Sequence, residues 1–172
     1  GNAVTEDILN QEGYHFMIVS HKLYSEGTEE KAMVAYDTTF AYDTFINAAA
    51  QDTQVVVRVE NVLENTYTVE VPDWEDDFVQ RYTDVVAPFM NKAQEAGIRV
   101  YAIAKGQMPE AREDFKQTVG ADYPFYQADD ILLKTIIRSN PGVLLWKDGT
   151  IVKKWHYKKL PSFEEVQKKY LK

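Results

Sequence analysis

The sequence predicts an α/β fold in which helices cover both faces of a mixed central sheet. Residues 15–20 and 98–103 are continuous apolar runs, which are typical of strands buried on both faces. Helical patterns alternate with these runs, and the chain closes with a strand hairpin over 143–155 and a last helix. Because this order builds one covered sheet, we expect a single domain over residues 1–172.

The composition indicates a folded domain without cysteine chemistry. The chain has 172 residues, 45% of them hydrophobic, and 19 basic against 27 acidic residues give a net charge of −8. This acidity argues against nonspecific binding to nucleic acid or to anionic membranes. The absence of cysteine excludes disulfides, thiolate metal sites and thiol redox catalysis. No apolar run approaches the roughly 18 residues of a membrane helix, but Gly1-Asn2-Ala3 is similar to a cleavage scar, so we expect a piece of a longer protein.

The first third of the chain contains one segment whose structure the sequence leaves open. Residues 5–10 predict a capped helical turn that ends near Gly13. The aromatic residues within 24–53 fit a helix or short strands equally well. Residues 54–60 and 66–71 alternate apolar with polar side chains, which predicts an antiparallel hairpin. Its turn is placed at Glu64-Asn65, and the whole of 24–73 is expected to be an insertion after the first strand.

Two helices follow the insertion. Residues 75–96 carry apolar side chains at spacings of three and four, and Gly97 is a helix-ending residue. Pro88 lies inside this pattern and predicts a kink. Pro109 begins the next helix, over 109–119.

The last third of the chain is the most regular. A short strand begins at Pro124, and Asp129 is placed to cap the helix after it. Lys147-Asp148-Gly149 is a strong hairpin signal between two apolar strands. Ser162 and Glu165 form a capping box that begins the final helix.

This order of elements resembles the thioredoxin fold, and the extra strand and helix at 123–138 resemble the insertion of its peroxiredoxin and TlpA-like branches. The phrase Ser20-His21-Lys22-Leu23 and residues 133–152 are similar to the soluble domains that follow the membrane helices of bacterial DoxX-like proteins. The resemblance covers 15–23 and 74–171, and 24–73 depart from it.

The resemblance implies a thioredoxin-like three-layer α/β/α sandwich, with the β-hairpin-containing insertion after the first strand. It also implies a full-length protein anchored in a membrane, with this domain on the extracytoplasmic side. The expected partner is a protein or peptide, or the membrane segment of the same protein. Neither nucleic acid binding nor direct membrane insertion by this fragment is expected.

Thioredoxins carry Cys-X-X-Cys at the end of the first strand, and this chain departs from that pattern. The strand ends in Ser20-His21-Lys22, and the helix after the insertion begins at residues 72–75, without a thiol. A serine cannot replace a redox cysteine because an alcohol has no disulfide chemistry, so we expect no redox activity. The fold has a cis-proline facing the same end, and Asn140-Pro141 inherits that expectation.

His21 is the strongest candidate site residue. It should lie at the carboxyl end of a buried strand, where open α/β sheets bind ligands. There it could act as a general base or contact a ligand, or it could only form a hydrogen bond to the neighbouring loop. The other expected binding residues are Lys22, Asn140, Pro141 and Tyr126.

Acidic clusters give no expectation of a metal site. Residues 73–77 contain four carboxylates that could hold a hard cation, but negative charge is also favourable at a helix start. The same holds for Asp129-Asp130. We therefore predict no metal ion and no cofactor.

Two functions remain open. The first is a redox-inactive binding domain that presents a surface to a protein or peptide. The second is a cysteine-independent enzyme that uses His21 with a nearby carboxylate or Tyr126. An enzyme requires a concave pocket in which His21 meets a second polar group, whereas a binding domain requires only an exposed surface.

The aromatic residues of the insertion admit two interpretations: an exposed patch for a partner, or an extension of the core. We predict that they fill a small core beneath the hairpin and form a lid over the His21 end. The contact expected is partial burial of Tyr42 or Phe45 against Val57 or Val69. If these aromatics are exposed instead, 24–73 is a separate interaction arm.

Overall fold

A computed structural model describes residues 10–47 and 52–171 of the chain. Nearly all of the helical turn predicted over 5–10 lies outside them. The chain divides into two compact units, one consisting of Glu29–Val71 and the other of the chain before and after it. We call Glu29–Val71 the arm and the remainder the sheet unit. The arm falls within the predicted insertion.

The described strands run β1 to β7 in chain order, and the helices α1 to α5. The strands are β1 (Tyr14–Ser20), β2 (Ser25–Asn47), β3 (Asp52–Trp74), β4 (Arg99–Lys105), β5 (Phe125–Ala128), β6 (Gly142–Lys147) and β7 (Thr150–His156). The helices are α1 (Asp76–Gln80), α2 (Ala87–Glu95), α3 (Pro109–Thr118), α4 (Asp130–Ile136) and α5 (Phe163–Tyr170), with a π-helical turn at Arg81–Val86 and a 3-10 turn at Tyr157–Lys159.

The sheet unit contains a five-stranded mixed sheet in the order β5-β4-β1-β6-β7. β1 is parallel to β4 and antiparallel to β6, and β7 lies at an edge. The predicted neighbours of the first strand, the strands near 98–103 and 143–147, are therefore confirmed. The predicted α/β class with a mixed sheet is confirmed as well.

Alternation along β1 separates two apolar clusters on opposite faces of the sheet. Phe16 and Ile18 belong to the cluster that contains side chains of α1, α2, α3 and α5. Met17 and Val19 belong to the other cluster, which Leu133 of α4 joins. Helices therefore lie against both faces, which explains why the β1 sequence is a continuous apolar run.

The helix predicted over 75–96 is divided into α1, the π-helical turn and α2. Pro88 has no N–H to donate to the carbonyl of Asp84, and the π-helical turn lies directly before it. Tyr82 and Val86 of this turn are buried. The buried side chains of this widened turn face the core, and the kink predicted at Pro88 stays a prediction.

Local signals in the last third of the chain are confirmed. Asp148 and Gly149 have φ values of 47° and 74°, as an Asp-Gly turn between β6 and β7 requires. The Asp129 carboxylate accepts hydrogen bonds from the backbone N–H groups of Ile131 and Leu132. The capping box at the start of α5 is complete.

The arm corrects the strand boundaries expected from the sequence. β2 and β3 are each 23 residues long and are hydrogen-bonded neighbours in a two-stranded sheet. Residues 54–60 and 66–71 are therefore parts of one strand, and the predicted turn at Glu64-Asn65 is wrong. A continuous ladder with the neighbouring strand supplies more hydrogen bonds than a local turn, so it overrides the turn preference of these two residues.

Alternation places most large apolar side chains of the ribbon on one face, although Val56 and Val62 of the other face are exposed as well. The Arg58 Nε atom lies 3.0 Å from Asp43 Oδ2, so even-numbered residues of β3 share a face with odd-numbered residues of β2. The opposite face, which we call the apolar face, carries nine large side chains that are 43–66% exposed. They are Val34, Tyr36, Phe40, Tyr42, Val55, Val57, Val59, Leu63 and Tyr67.

The predicted core beneath the hairpin is wrong. Tyr42 is 66% exposed and Val57 is 54% exposed, and the side chain of Phe45 lies outside the described residues. In the part of the arm that the structure describes, the two-stranded sheet has no second layer to bury its apolar side chains. The lid hypothesis is therefore withdrawn, and the alternative, a separate interaction arm, stays a prediction.

Candidate functional site

A hydrogen bond joins the carboxyl end of β1 to the loop before β6. Asn140 Nδ2 donates to the Lys22 carbonyl oxygen at 2.7 Å, and Asn140 is 8% exposed. The peptide bond between Asn140 and Pro141 is cis, as predicted. The structure therefore brings Lys22, Asn140 and Pro141 together beside His21.

His21 directly follows β1 and is half-buried. Its Nε2 atom lies 3.4 Å from the Arg138 carbonyl oxygen, which is long for a hydrogen bond. Its Nδ1 atom is buried and has no hydrogen-bond partner within the described chain. A catalytic histidine is normally oriented by a third group such as a carboxylate, and these contacts supply none.

A cavity of about 630 Å³ opens beside His21. This volume lies within the range of small-ligand and peptide sites. The lining combines isoleucine side chains with basic residues. The lining residues are His21, Ile131, Lys134, Thr135, Ile136, Ile137 and Arg138.

The polar groups of the cavity differ in how firmly they are held. Lys134 Nζ lies 2.9 Å from Asp130 Oδ2 in an exposed ion pair, and the hydrogen bond from Lys134 lowers the pKa of Asp130. Exposed pairs of this kind contribute little, so Lys134 can exchange partners. The Thr135 hydroxyl donates to the Leu132 carbonyl oxygen at 2.6 Å and is engaged by its own helix.

Ser20, the last residue of β1, is not accessible. Its Oγ atom lies 2.6 Å from the Tyr82 hydroxyl, and both residues are fully buried. Burial raises the pKa of Tyr82 above its ordinary value, and the Ser20 hydrogen bond opposes this in part. The pair is a neutral structural contact beneath the His21 end.

Arg81 supports the same loop, and the sequence analysis did not identify it. Its Nη1 atom donates to the Asn140 carbonyl oxygen at 3.1 Å. Its guanidinium carbon lies 5.5–5.7 Å from the ring centroids of Tyr24, Phe78 and Tyr157, within cation–π range. Phe78 is close to Arg81 in sequence, but Tyr24 and Tyr157 are distant, so no local pattern could have shown that the three rings surround Arg81.

Tyr126, the remaining predicted site residue, does not line the cavity beside His21. It lies on β5, and its ring centroid is 6.0 Å from that of Tyr101. β4 separates β5 from β1, a distance of about 10 Å between strands. The structure brings Tyr126 to the α4-side apolar cluster, and its role in binding stays a prediction.

The acidic cluster at 73–77 lines a second cavity of about 370 Å³, together with Glu26. Within the described residues, no group of three or more His, Asp or Glu side chains is arranged to hold a metal ion. Negative charge at the start of α1 is favourable without any ligand.

Comparisons with protein-family models, with curated proteins and with solved structures found no match. In the part of the chain that the structure describes, no helix is both long and apolar enough to cross a membrane. The functional argument therefore depends on the geometry of the His21 end and on the arm.

Proposed function

We propose that the chain is a redox-inactive, thioredoxin-like binding domain with a three-layer α/β/α architecture. The order of the sheet and the helices on both faces support this proposal. The absence of cysteine removes the redox chemistry of that fold. Its partner is a protein or peptide that binds at the carboxyl end of β1.

The observation that carries the proposal is the cavity beside His21. Its isoleucines offer apolar contact, and Lys134 and Arg138 supply positive charge on a chain whose net charge is −8. Complementary charge selects partners and speeds their encounter. We expect a segment that carries both apolar side chains and carboxylates.

Binding is favoured over catalysis because the nearby polar groups are already engaged. The Ser20 hydroxyl is paired with Tyr82, and the Thr135 hydroxyl with its own helix. The contact recorded for His21 is a backbone carbonyl. No activated nucleophile results from these contacts.

A peptide titration followed by NMR tests this proposal. A twelve-residue peptide of leucine and glutamate should shift the backbone signals of His21 and of residues 131–138. The same peptide with lysine in place of glutamate should bind weakly. Arg138→Glu should weaken binding of the acidic peptide roughly tenfold or more, because it places like charges together.

Lys168→Glu is the matched control, because Lys168 is exposed on α5 and does not line the cavity. It changes the net charge equally and should leave binding unchanged. Equal binding of the two peptides, or equal effects of the two variants, would refute the proposed site.

A second candidate function is a cysteine-independent enzyme that uses His21, and the concave surface beside His21 favours it. General acid–base catalysis by a histidine contributes on the order of 10²–10⁴-fold. A panel of carboxylic and phosphate esters should therefore reveal turnover that His21→Gln lowers by about this factor. Turnover that the substitution leaves unchanged rules out the enzyme.

Attachment to a membrane in the full-length protein is the last part of the proposal. Its support is the similarity of Ser20–Leu23 and of residues 133–152 to domains that follow the membrane helices of DoxX-like proteins. An antibody against this chain should detect the full-length protein in the membrane fraction of its cells. Protease added to intact spheroplasts should remove the signal if the domain is extracytoplasmic. Detection in the supernatant alone would reject the attachment.

A further inference from the structure

The apolar face of the arm is exposed to water and would be stabilised by a second layer of protein packed against it. Its nine large apolar side chains are 43–66% exposed, and contiguous exposed apolar surface of this kind marks interaction sites. An isolated two-stranded ribbon is only marginally stable in water. A second layer packed on this face would supply the missing burial.

The distribution of charge indicates what that layer is. Residues 29–71 contain eight acidic and two basic residues. Asp43 and Arg58 lie on the face opposite the apolar face. Because side chains alternate along each strand, Asp37, Glu60 and Glu64 lie on that opposite face as well. An acidic ribbon is repelled by an anionic lipid surface, whereas two apolar faces can meet with most of these charges directed outward.

We propose that the arms of two copies of this chain pack face to face through their apolar faces. The result is a four-stranded β-sandwich with the two sheets about 10 Å apart. The same face serves both copies, so the dimer has two-fold symmetry and closes without further growth. This inference is independent of the ligand proposed for the His21 cavity.

The available area is sufficient for such a dimer. Residues 29–47 of β2 span about 60 Å at about 3.3 Å per residue, and two strands are about 10 Å wide. Each arm thus offers about 600 Å², and the pair would bury about 1,200 Å², the lower end for specific interfaces. Association in the micromolar range is expected, so the dimer should depend on concentration.

Sedimentation velocity of the whole chain across a concentration series tests the proposal. The parent chain should shift from monomer to dimer, whereas Tyr36→Lys with Tyr42→Lys should stay monomeric. Ala35→Lys with Thr39→Lys, on the opposite face of the same strand, should dimerise like the parent. A parent chain that stays monomeric up to several hundred micromolar overturns the proposal.

Single cysteines give a readout that does not require a disrupted dimer, because the chain has no cysteine of its own. Thr38→Cys lies on the apolar face and Thr39→Cys on the opposite face, and both positions are exposed. Rising protein concentration should protect the first thiol from alkylation and leave the second reactive. Equal protection of both thiols would indicate edge pairing and overturn the proposal. Protection that does not depend on protein concentration would mean that the apolar face is covered by residues of the same chain, which overturns the proposal. Protection that appears only when zwitterionic vesicles are added would mean that the face binds lipid, which also overturns it.

Discussion

β1 and β3 are both rich in β-branched and aromatic residues, yet they have opposite environments. Every side chain of β1 from Phe16 to Val19 is at most 2% exposed, whereas Val55, Val57 and Val59 of β3 are more than half exposed. β1 has strands on two sides and helices on both faces. Within the described residues of the arm, β3 has one neighbouring strand and no second layer. Burial is therefore set by the number of layers around a strand, and strand composition alone does not determine it.

The largest effect of this difference should appear in hydrogen exchange. Amides of β1 should exchange only through global unfolding, while amides of β3 open locally. At low micromolar protein concentration, where few arms are paired, the two rates should differ on the order of a thousandfold or more. Mass spectrometry of exchanged peptides measures both strands in one sample. Similar protection in β1 and β3 would contradict the comparison.

The next effect concerns stability. Phe78 is fully buried, and its ring centroid lies 5.6 Å from that of Tyr82 and 5.7 Å from that of Phe115. Phe78→Ala should lower the free energy of unfolding by about 3–5 kcal/mol through the cavity it leaves. At low micromolar protein concentration, where few arms are paired, Val57→Ala should cost less than about 1 kcal/mol, because the side chain is then in water. Urea unfolding measures both variants, and equal losses would show that the arm is as tightly packed as the sheet.

The smallest expected effect is a pH dependence of the free energy of unfolding, and it arises from one buried side chain of the sheet unit. His15 is fully buried and stacks on Trp146 at 5.9 Å between ring centroids. Burial lowers the pKa of His15 below its ordinary value of 6.5, and the positive charge of Arg99 lowers it further. The unfolded chain therefore binds a proton that the folded chain excludes, so stability should fall as the pH drops below about 6.5.

His15→Phe retains an aromatic ring at this position and removes the titrating group. Its free energy of unfolding should depend less on pH between 7.5 and 5.5 than that of the parent, as urea titrations at several pH values would show. An unchanged slope would mean that His15 takes up a proton in the folded state as readily as in the unfolded chain.

Most of the sheet unit could be predicted because its signals are local. The apolar run over 15–20 is typical of a strand, and Asp148-Gly149 favours a tight turn with positive φ. The Asp129 cap depends on two backbone groups within three residues. Each of these features is decided by neighbours in sequence.

The arm could not be predicted in the same way because its residues satisfy two descriptions. The aromatic spacing in 24–53 fits a helix as well as a strand, and pairing with β3 decides between them. Asn61 and Glu64-Asn65 favour a turn locally, but the ladder with β2 continues through them. The outcome depends on a neighbour that is distant in sequence.

The candidate site was predicted in part for the same reason. Position at the end of a strand identified His21, and loop order identified Asn140. Arg81 was missed because its aromatic neighbours come from three separate segments. The place of Tyr126 on β5, two strands away from β1, leaves its role in binding a prediction.

The chain leaves and re-enters the sheet unit at a single point. The Glu75 backbone N–H donates to the Tyr24 carbonyl oxygen at 3.1 Å, so the two flanks of the arm are held together by a backbone contact of their own. Because the two ends of the arm are adjacent, β2 and β3 can each be shortened or lengthened by the same number of residues at little entropic cost to the folding of the sheet unit. The arm is therefore a position at which the chain tolerates insertion. Its length and sequence can vary, or another two-stranded ribbon can replace it, without a change in the strand order of the five-stranded sheet.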